Sequence, residues 1–223
     1  MTPIESRKTP IFGIVLIACM LAAPMLLSAQ PWQEGVHFER ISGPESTGSG
    51  EIEVVEVFSY MCPACRMFQP FVASWEEQLP EQVAFRRVPV AWRNWEPMAR
   101  AYYTAEVLDI VEESHEALFV ALHDRNQQLG SMRDLGRFYS QFGVEAERFE
   151  STARSFPVES KVRMGNAAVG KWQVRSTPTL VINGKYRISP RRDGGTYEEM
   201  LRVADHLIEM ELAASGDAQA QSE

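Results

Sequence analysis

The motif Cys62-Pro63-Ala64-Cys65 follows the apolar run Val54-Val55-Glu56-Val57-Phe58. The β-branched run reads as a strand, and the motif reads as the opening of a helix. Pro63 suits the first helical position because its φ is already fixed there and its missing N–H would find no partner in any case. The spacing therefore puts a thiol where strand meets helix. Free backbone N–H groups and the macrodipole at that end favour thiolate over thiol. Cys62 is thus expected to be the acidic, nucleophilic sulfur, and Cys65, one step deeper in the helix, the resolving thiol. The pair can close a small disulfide ring.

A C-x-x-C pair is also half of a zinc site. Structural zinc wants four ligands, and the chain offers no second C-x-x-C and no H-x(3-5)-H; His37, His115, His123 and His206 are eight or more residues apart. A purely structural disulfide would leave a second feature unexplained. This is Ser176-Thr177-Pro178-Thr179-Leu180-Val181-Ile182-Asn183-Gly184-Lys185-Tyr186, which reads as a proline-started strand, an Asn-Gly turn and a return strand.

Motif and hairpin together resemble the thioredoxin superfamily and, within it, the DsbA family of periplasmic thiol:disulfide oxidoreductases, over about residues 36–212. Glu56 stands six residues before Cys62, where that family carries a buried acid. Val83-Ala84-Phe85-Arg86-Arg87-Val88-Pro89-Val90 matches the family's next strand, and Pro70 matches the kinking proline of the active-site helix. The resemblance implies an α/β thioredoxin fold, a central mixed sheet flanked by helices, with a helical domain inserted between the third strand and the cis-Pro hairpin. It implies catalytic roles for Cys62, Cys65, Pro178 and Glu56, with Pro63 and Ala64 completing the motif. A cis Thr177-Pro178 bond would lay a backbone edge beside the sulfur, and Thr177 and Thr179 would bind substrate there. The implied cofactor is none beyond the Cys62–Cys65 disulfide. The implied partners are unfolded secreted proteins with free thiols and a quinone-linked membrane reoxidant of the DsbB type, served by a monomer. The chain departs from the family's best-known motif in carrying Ala64 where histidine is common, and Thr177 where valine is common; the first removes one thiolate stabiliser.

Glu56 is costly in an apolar strand unless exposed or partnered. Pointing inward, its pKa should rise, and it could relay a proton to or from Cys65. The alternative is an outward-facing carboxylate. Arg86 or Arg87 is its expected partner, and pleat alternation allows one of them on each face.

Arg7 and Lys8 precede an apolar run from Ile11 to Ala29, which reads as an export signal cleaved after Ala29 and hence as a periplasmic destination. Leu16-Ile17-Ala18-Cys19 resembles a lipobox, so lipid or membrane anchoring through residues 11–29 is the alternative. Cleavage removes Glu5, Arg7 and Lys8 and moves the net charge from −8 to −9. That acidity argues against nucleic acid as a partner. The expected partition is 1–29 signal, 30–94 the first part of the fold with the CPAC motif, 95–173 helical insertion, 174–212 the second part, and 213–223 a disordered tail. Gly43 to Gly50 reads as a flexible connector after a short strand at Val36–Ile41.

In the insertion, Leu118, Phe119, Leu122 and Leu129 form one helical face, and Leu135, Phe138, Tyr139 and Phe142 another. Met132 and Met164 are expected in the core, Ser114 as a helix cap, and His115 and His123 as solvated surface histidines. Two further functions compete with the oxidase. A reductase or isomerase is one, although too few residues precede the central strand for a dimerisation domain. A non-catalytic binding module or metal carrier is the other, disfavoured by the intact cysteine pair.

Overall fold

The computed structural model describes residues 32–42, 51–191 and 193–220. Five strands, β1 (Glu39–Arg40), β2 (Ile52–Phe58), β3 (Val83–Pro89), β4 (Thr179–Ile182) and β5 (Tyr186–Ile188), form one mixed sheet in the order β1-β5-β4-β2-β3. β2 and β3 run parallel, joined by helix α1 (Pro63–Glu76), and the other pairs are antiparallel. Asn183 and Gly184 both take positive φ, 50° and 65°, as the tight β4–β5 turn requires.

β2 is covered on both faces, which is why its sequence is nearly unbroken in apolar residues rather than alternating. Ile52 and Val54 pack with Phe68 and Val72 of α1 and with Leu207 of α7 (Tyr197–Ala220). Val55 and Val57 pack on the opposite face against Val169 and Trp172 at the end of α6 (Phe156–Lys171). Glu56 therefore has no solvent side to turn to, and the outward-facing alternative fails.

Between β3 and β4 the chain forms the expected helical insertion: α2 (Glu96–Val107), α3 (Val111–Phe119) continued by a π-helical turn (Val120–Asp124), α4 (Met132–Tyr139), α5 (Ala146–Ala153) and α6. Leu118, Phe119, Leu135 and Tyr139 are fully buried, with Leu122, Leu129, Phe138 and Phe142 packed at the margin. This core is continuous with Phe58, Tyr60, Cys62 and Cys65, so the insertion forms one wall of the thiol site. Ser131 starts α4 with a reciprocal capping box to Asp134.

Several expectations are corrected. The first strand is two residues long, with Val36 in a turn and 48% exposed. Met164 is 68% exposed, because the inner face of α6 is supplied by Val158, Val162, Gly165 and Val169. Ser114 lies inside α3, where its hydroxyl donates to the Ile110 carbonyl instead of capping the helix. The tail expected to be disordered from Ala213 continues α7 to Ala220, in keeping with the high helix propensity of its alanines. The signal segment with Cys19, the connector 43–50 and residues 221–223 lie outside the described residues. Among the described residues no helix is long and apolar enough to cross a membrane.

Candidate active site

Cys62 is the N-cap of α1, with φ −96° and ψ 112°, and Pro63 occupies the first turn. An N-cap side chain ordinarily accepts from the helix's free N–H groups. Here the acceptor is sulfur: the Cys65 N–H donates to Cys62 Sγ at 3.3 Å. No carboxylate in the first turn competes for that position. The two cysteines are present as free thiols, Cys62 7% exposed and Cys65 fully buried.

Their environments push the two sulfurs apart. The Cys62 pKa falls from 9.0 to about 6 because the Cys65 thiol, the Thr177 hydroxyl and the backbone N–H groups of Cys65 and Ala64 all donate to its thiolate, outweighing burial. Burial drives the Cys65 pKa far up, and the hydrogen bond it gives to Cys62 adds to this, as do the charges of Cys62 and Glu56. Cys62 is thus the sulfur that ionises near neutral pH, and Cys65 the one that holds its proton.

Thr177–Pro178 is cis, and the Thr177 carbonyl accepts from Cys62 Sγ at 3.4 Å. Ser176 is exposed and Thr177 half-buried, so the chain edge beside the sulfur runs along these residues. Thr179, expected on that edge, is fully buried, its hydroxyl donating to the Ser176 carbonyl at 2.9 Å and sharing a 2.8 Å hydrogen bond with Ser189. One residue past the proline the strand has begun, and the pleat turns this side chain inward.

Glu56 is fully buried, and its pKa is pushed up to about 7 chiefly by burial, against the lowering influence of Arg87. The β2–β3 register places Arg87 opposite Glu56, and Arg87 Nε donates to Glu56 Oε2 at 3.1 Å. Arg86, on the other face, pairs with Glu53 at 2.6 Å. Gln69 Nε2 donates to Glu56 Oε1 at 3.3 Å, and Arg87 reaches on to Glu76 at 2.6 Å. Gln69, Arg87 and Glu76 also line a groove of about 900 Å³ along α1 and α3. The buried carboxyl is therefore one hydrogen bond from groups that meet a solvent-filled groove.

Two histidines overturn their sequence reading. His115 is buried, and its Nδ1 shares a 2.8 Å hydrogen bond with the Tyr60 hydroxyl, within a cluster that includes Phe58, Tyr102 and Phe119. His123, in the π-helical turn, donates from Nε2 to the Tyr60 carbonyl at 2.8 Å. Next to it, Asp124 takes the Arg66 guanidinium at 2.6 Å, and Glu116 takes it at 2.7 Å. The insertion thus grips both the segment entering the motif and the helix leaving it. Tyr197 also reaches the motif: its hydroxyl donates to the Ala64 carbonyl at 3.0 Å. Tyr60 and Tyr197 offer no local sequence signal, because their partners come from remote elements.

Residues 75–202 match the family model described as a DSBA-like thioredoxin domain. The thiol:disulfide interchange protein DsbA of Pseudomonas aeruginosa is 34% identical over 207 residues, covering 90% of this chain and 98% of its own. A match that long includes the Cys62–Cys65 segment, which lies upstream of the family-model match. Among solved structures, the oxidoreductase DsbA from Xylella fastidiosa superposes with a TM-score of 0.76 at 34% identity, over 81% of this chain and 98% of its own. The Pseudomonas aeruginosa DsbA structure gives 0.77 at 35% identity, over 83% and 97%.

Proposed function

This chain belongs to the DsbA family of thiol:disulfide oxidoreductases, and on that premise we propose that it donates the Cys62–Cys65 disulfide to unfolded exported proteins in the periplasm. The observation that carries the reading is the split between an acidic Cys62 at the helix cap and a buried, proton-holding Cys65.

The chemistry follows from that split. A substrate thiolate attacks Cys62 Sγ, the accessible sulfur; the Cys62–Cys65 bond breaks as the new sulfur–sulfur bond forms, and Cys65 departs with the electron pair. Its high proton affinity requires a proton, which Glu56, protonated up to about pH 7, supplies. Gln69 and Arg87 connect Glu56 to the flanking groove, where the proton is replaced from solvent. A second substrate thiolate then attacks the substrate sulfur of the mixed disulfide and expels Cys62, a good leaving group because its thiolate is stable. Two substrate thiols become one disulfide, and the enzyme leaves as the dithiol. Stabilising the reduced thiolate raises the oxidising power of the couple.

Pro178 and Thr177 present a backbone edge on which an extended substrate docks. An export signal at 1–29 delivers the protein, a quinone-linked membrane partner of the DsbB type restores the disulfide, and the working unit is a monomer. The experiment is oxidation of a reduced, unfolded protein together with the equilibrium constant against glutathione. We expect an oxidising couple, no turnover in Cys62→Ser, and trapped mixed disulfides in Cys65→Ser. Dithiol oxidation surviving in Cys62→Ser would overturn the assignment, and a strongly reducing couple would favour the reductase.

A further inference from the structure

Tyr197 opens α7 immediately after Thr196, whose Oγ1 accepts from the Glu199 N–H at 3.1 Å and so caps the helix. The cap fixes the point from which residue 197 projects. Its ring is half-buried against Phe68 and Phe71 of α1, with centroids 5.2 and 5.6 Å away. Its hydroxyl donates to the Ala64 carbonyl at 3.0 Å.

That carbonyl belongs to the same peptide plane as the Cys65 N–H, which donates to Cys62 Sγ at 3.3 Å. In a trans peptide the C=O and N–H point in opposite directions within a rigid unit, so a donor held on one end fixes the aim of the other. A hydrogen bond accepted by the carbonyl also polarises the amide and strengthens its N–H as a donor, by roughly 10–30% per bond in condensed-phase estimates. Both sulfurs in turn reach Tyr197: burial raises its phenol pKa, and the charges of Cys62 and Cys65 raise it further.

We propose, resting on the disulfide-exchange reading, that Tyr197 is a positioning residue of this site: its hydroxyl holds and polarises the Ala64–Cys65 peptide and thereby stabilises the Cys62 thiolate. The C-terminal helix then helps to set the oxidising power of a disulfide carried by α1. Tyr197 makes and breaks no bond in the reaction.

Tyr197→Phe removes the hydroxyl and keeps the ring contacts. We expect the midpoint of the Cys62 thiolate absorbance to rise from about 6 by up to about one unit, and the equilibrium constant against glutathione at pH 7 to become less oxidising by up to about fivefold. Thermal unfolding of both redox forms supplies the readout that a packing role would not give. The loss should fall on the reduced form, since only it carries the thiolate. Equal losses in both forms, with an unmoved thiolate midpoint, would overturn the inference alone. An ordinary, high midpoint in the wild type would also overturn the inference, whereas dithiol oxidation that survives in Cys62→Ser would overturn the disulfide-exchange reading on which it rests.

Discussion

Glu56 Oε2 and Arg87 Nε lie 3.1 Å apart across the parallel β2–β3 pair, yet the carboxyl titrates at about 7. Burial therefore outweighs the guanidinium, which also divides its attention with Glu76. The charge of the ionised carboxyl raises the Cys65 pKa, so the two groups are electrostatically coupled.

Glu56→Gln tests the energetic side of that balance. The folded-state pKa is raised from 4.5 to about 7, so the contribution of Glu56 to stability is fully present below pH 4.5 and is lost as pH rises through about 7. The neutral isostere escapes that loss. Urea unfolding of the dithiol form should show the variant gaining on the wild type between pH 5 and pH 8, by up to about 3 kcal/mol. A difference that does not change with pH would mean that the buried carboxyl is not the group titrating. Oxidase turnover should fall in the same variant, since glutamine relays no proton.

The Tyr60–His115 contact predicts a second pH effect of the opposite sense. Burial holds the His115 pKa well below 6.5, with Arg87 adding to it. A folded-state value below the unfolded one gives stability that is present above about pH 6.5 and declines as the solution is acidified. His115→Phe should abolish that decline and remove the 2.8 Å hydrogen bond to the buried Tyr60 hydroxyl, at a cost of about 1–3 kcal/mol at pH 7. Tyr60→Phe/His115→Phe should recover part of the loss, and a double-mutant cycle showing no coupling would sink the account.

Much of the thiol chemistry was readable from local sequence because its parts are neighbours: Cys62, Pro63 and Cys65 build one helix terminus from four consecutive residues. Glu56 was readable as an anomaly, an acid within a valine run, but its partner was not. Choosing Arg87 over Arg86 needs the β2–β3 register, which pattern alone leaves open. His115 and Tyr197 were out of reach, because they meet Tyr60 and Ala64 across 55 and 133 residues of chain. Thr179 was expected on the edge beside the sulfur, but it lies one residue past Pro178, where the strand has begun and its side chain is buried.

The Cys65 thiol is the largest influence holding Cys62 acidic, and its removal should show this directly. Cys65→Ala deletes the donor, and the alkylation of Cys62 should then need a higher pH than the midpoint of about 6 expected for the wild type. Cys65→Ser restores a hydroxyl donor and should bring the midpoint most of the way back. Alkylation rate against pH separates the three proteins. Identical midpoints for alanine and serine would assign the depression to the backbone N–H groups and the helix terminus instead.

Thr177→Val isolates the next side-chain donor. The hydroxyl of Thr177 favours the thiolate, whereas its carbonyl, 3.4 Å from Sγ, accepts from the thiol and favours the protonated form. Valine keeps the β-branched shape and the carbonyl but removes the hydroxyl, so the balance shifts toward the thiol. The Cys62 midpoint should rise, and the couple should become less oxidising. A rise of one unit would be about 1.4 kcal/mol, equivalent to about 30 mV in a two-electron couple when the thiolate form dominates. The redox equilibrium with glutathione is the right measure, because an equilibrium constant is independent of any change in how a substrate docks near residue 177. A lower midpoint in Thr177→Val would show that the hydroxyl turns away from the sulfur in solution, leaving the helix cap and Cys65 to hold the thiolate.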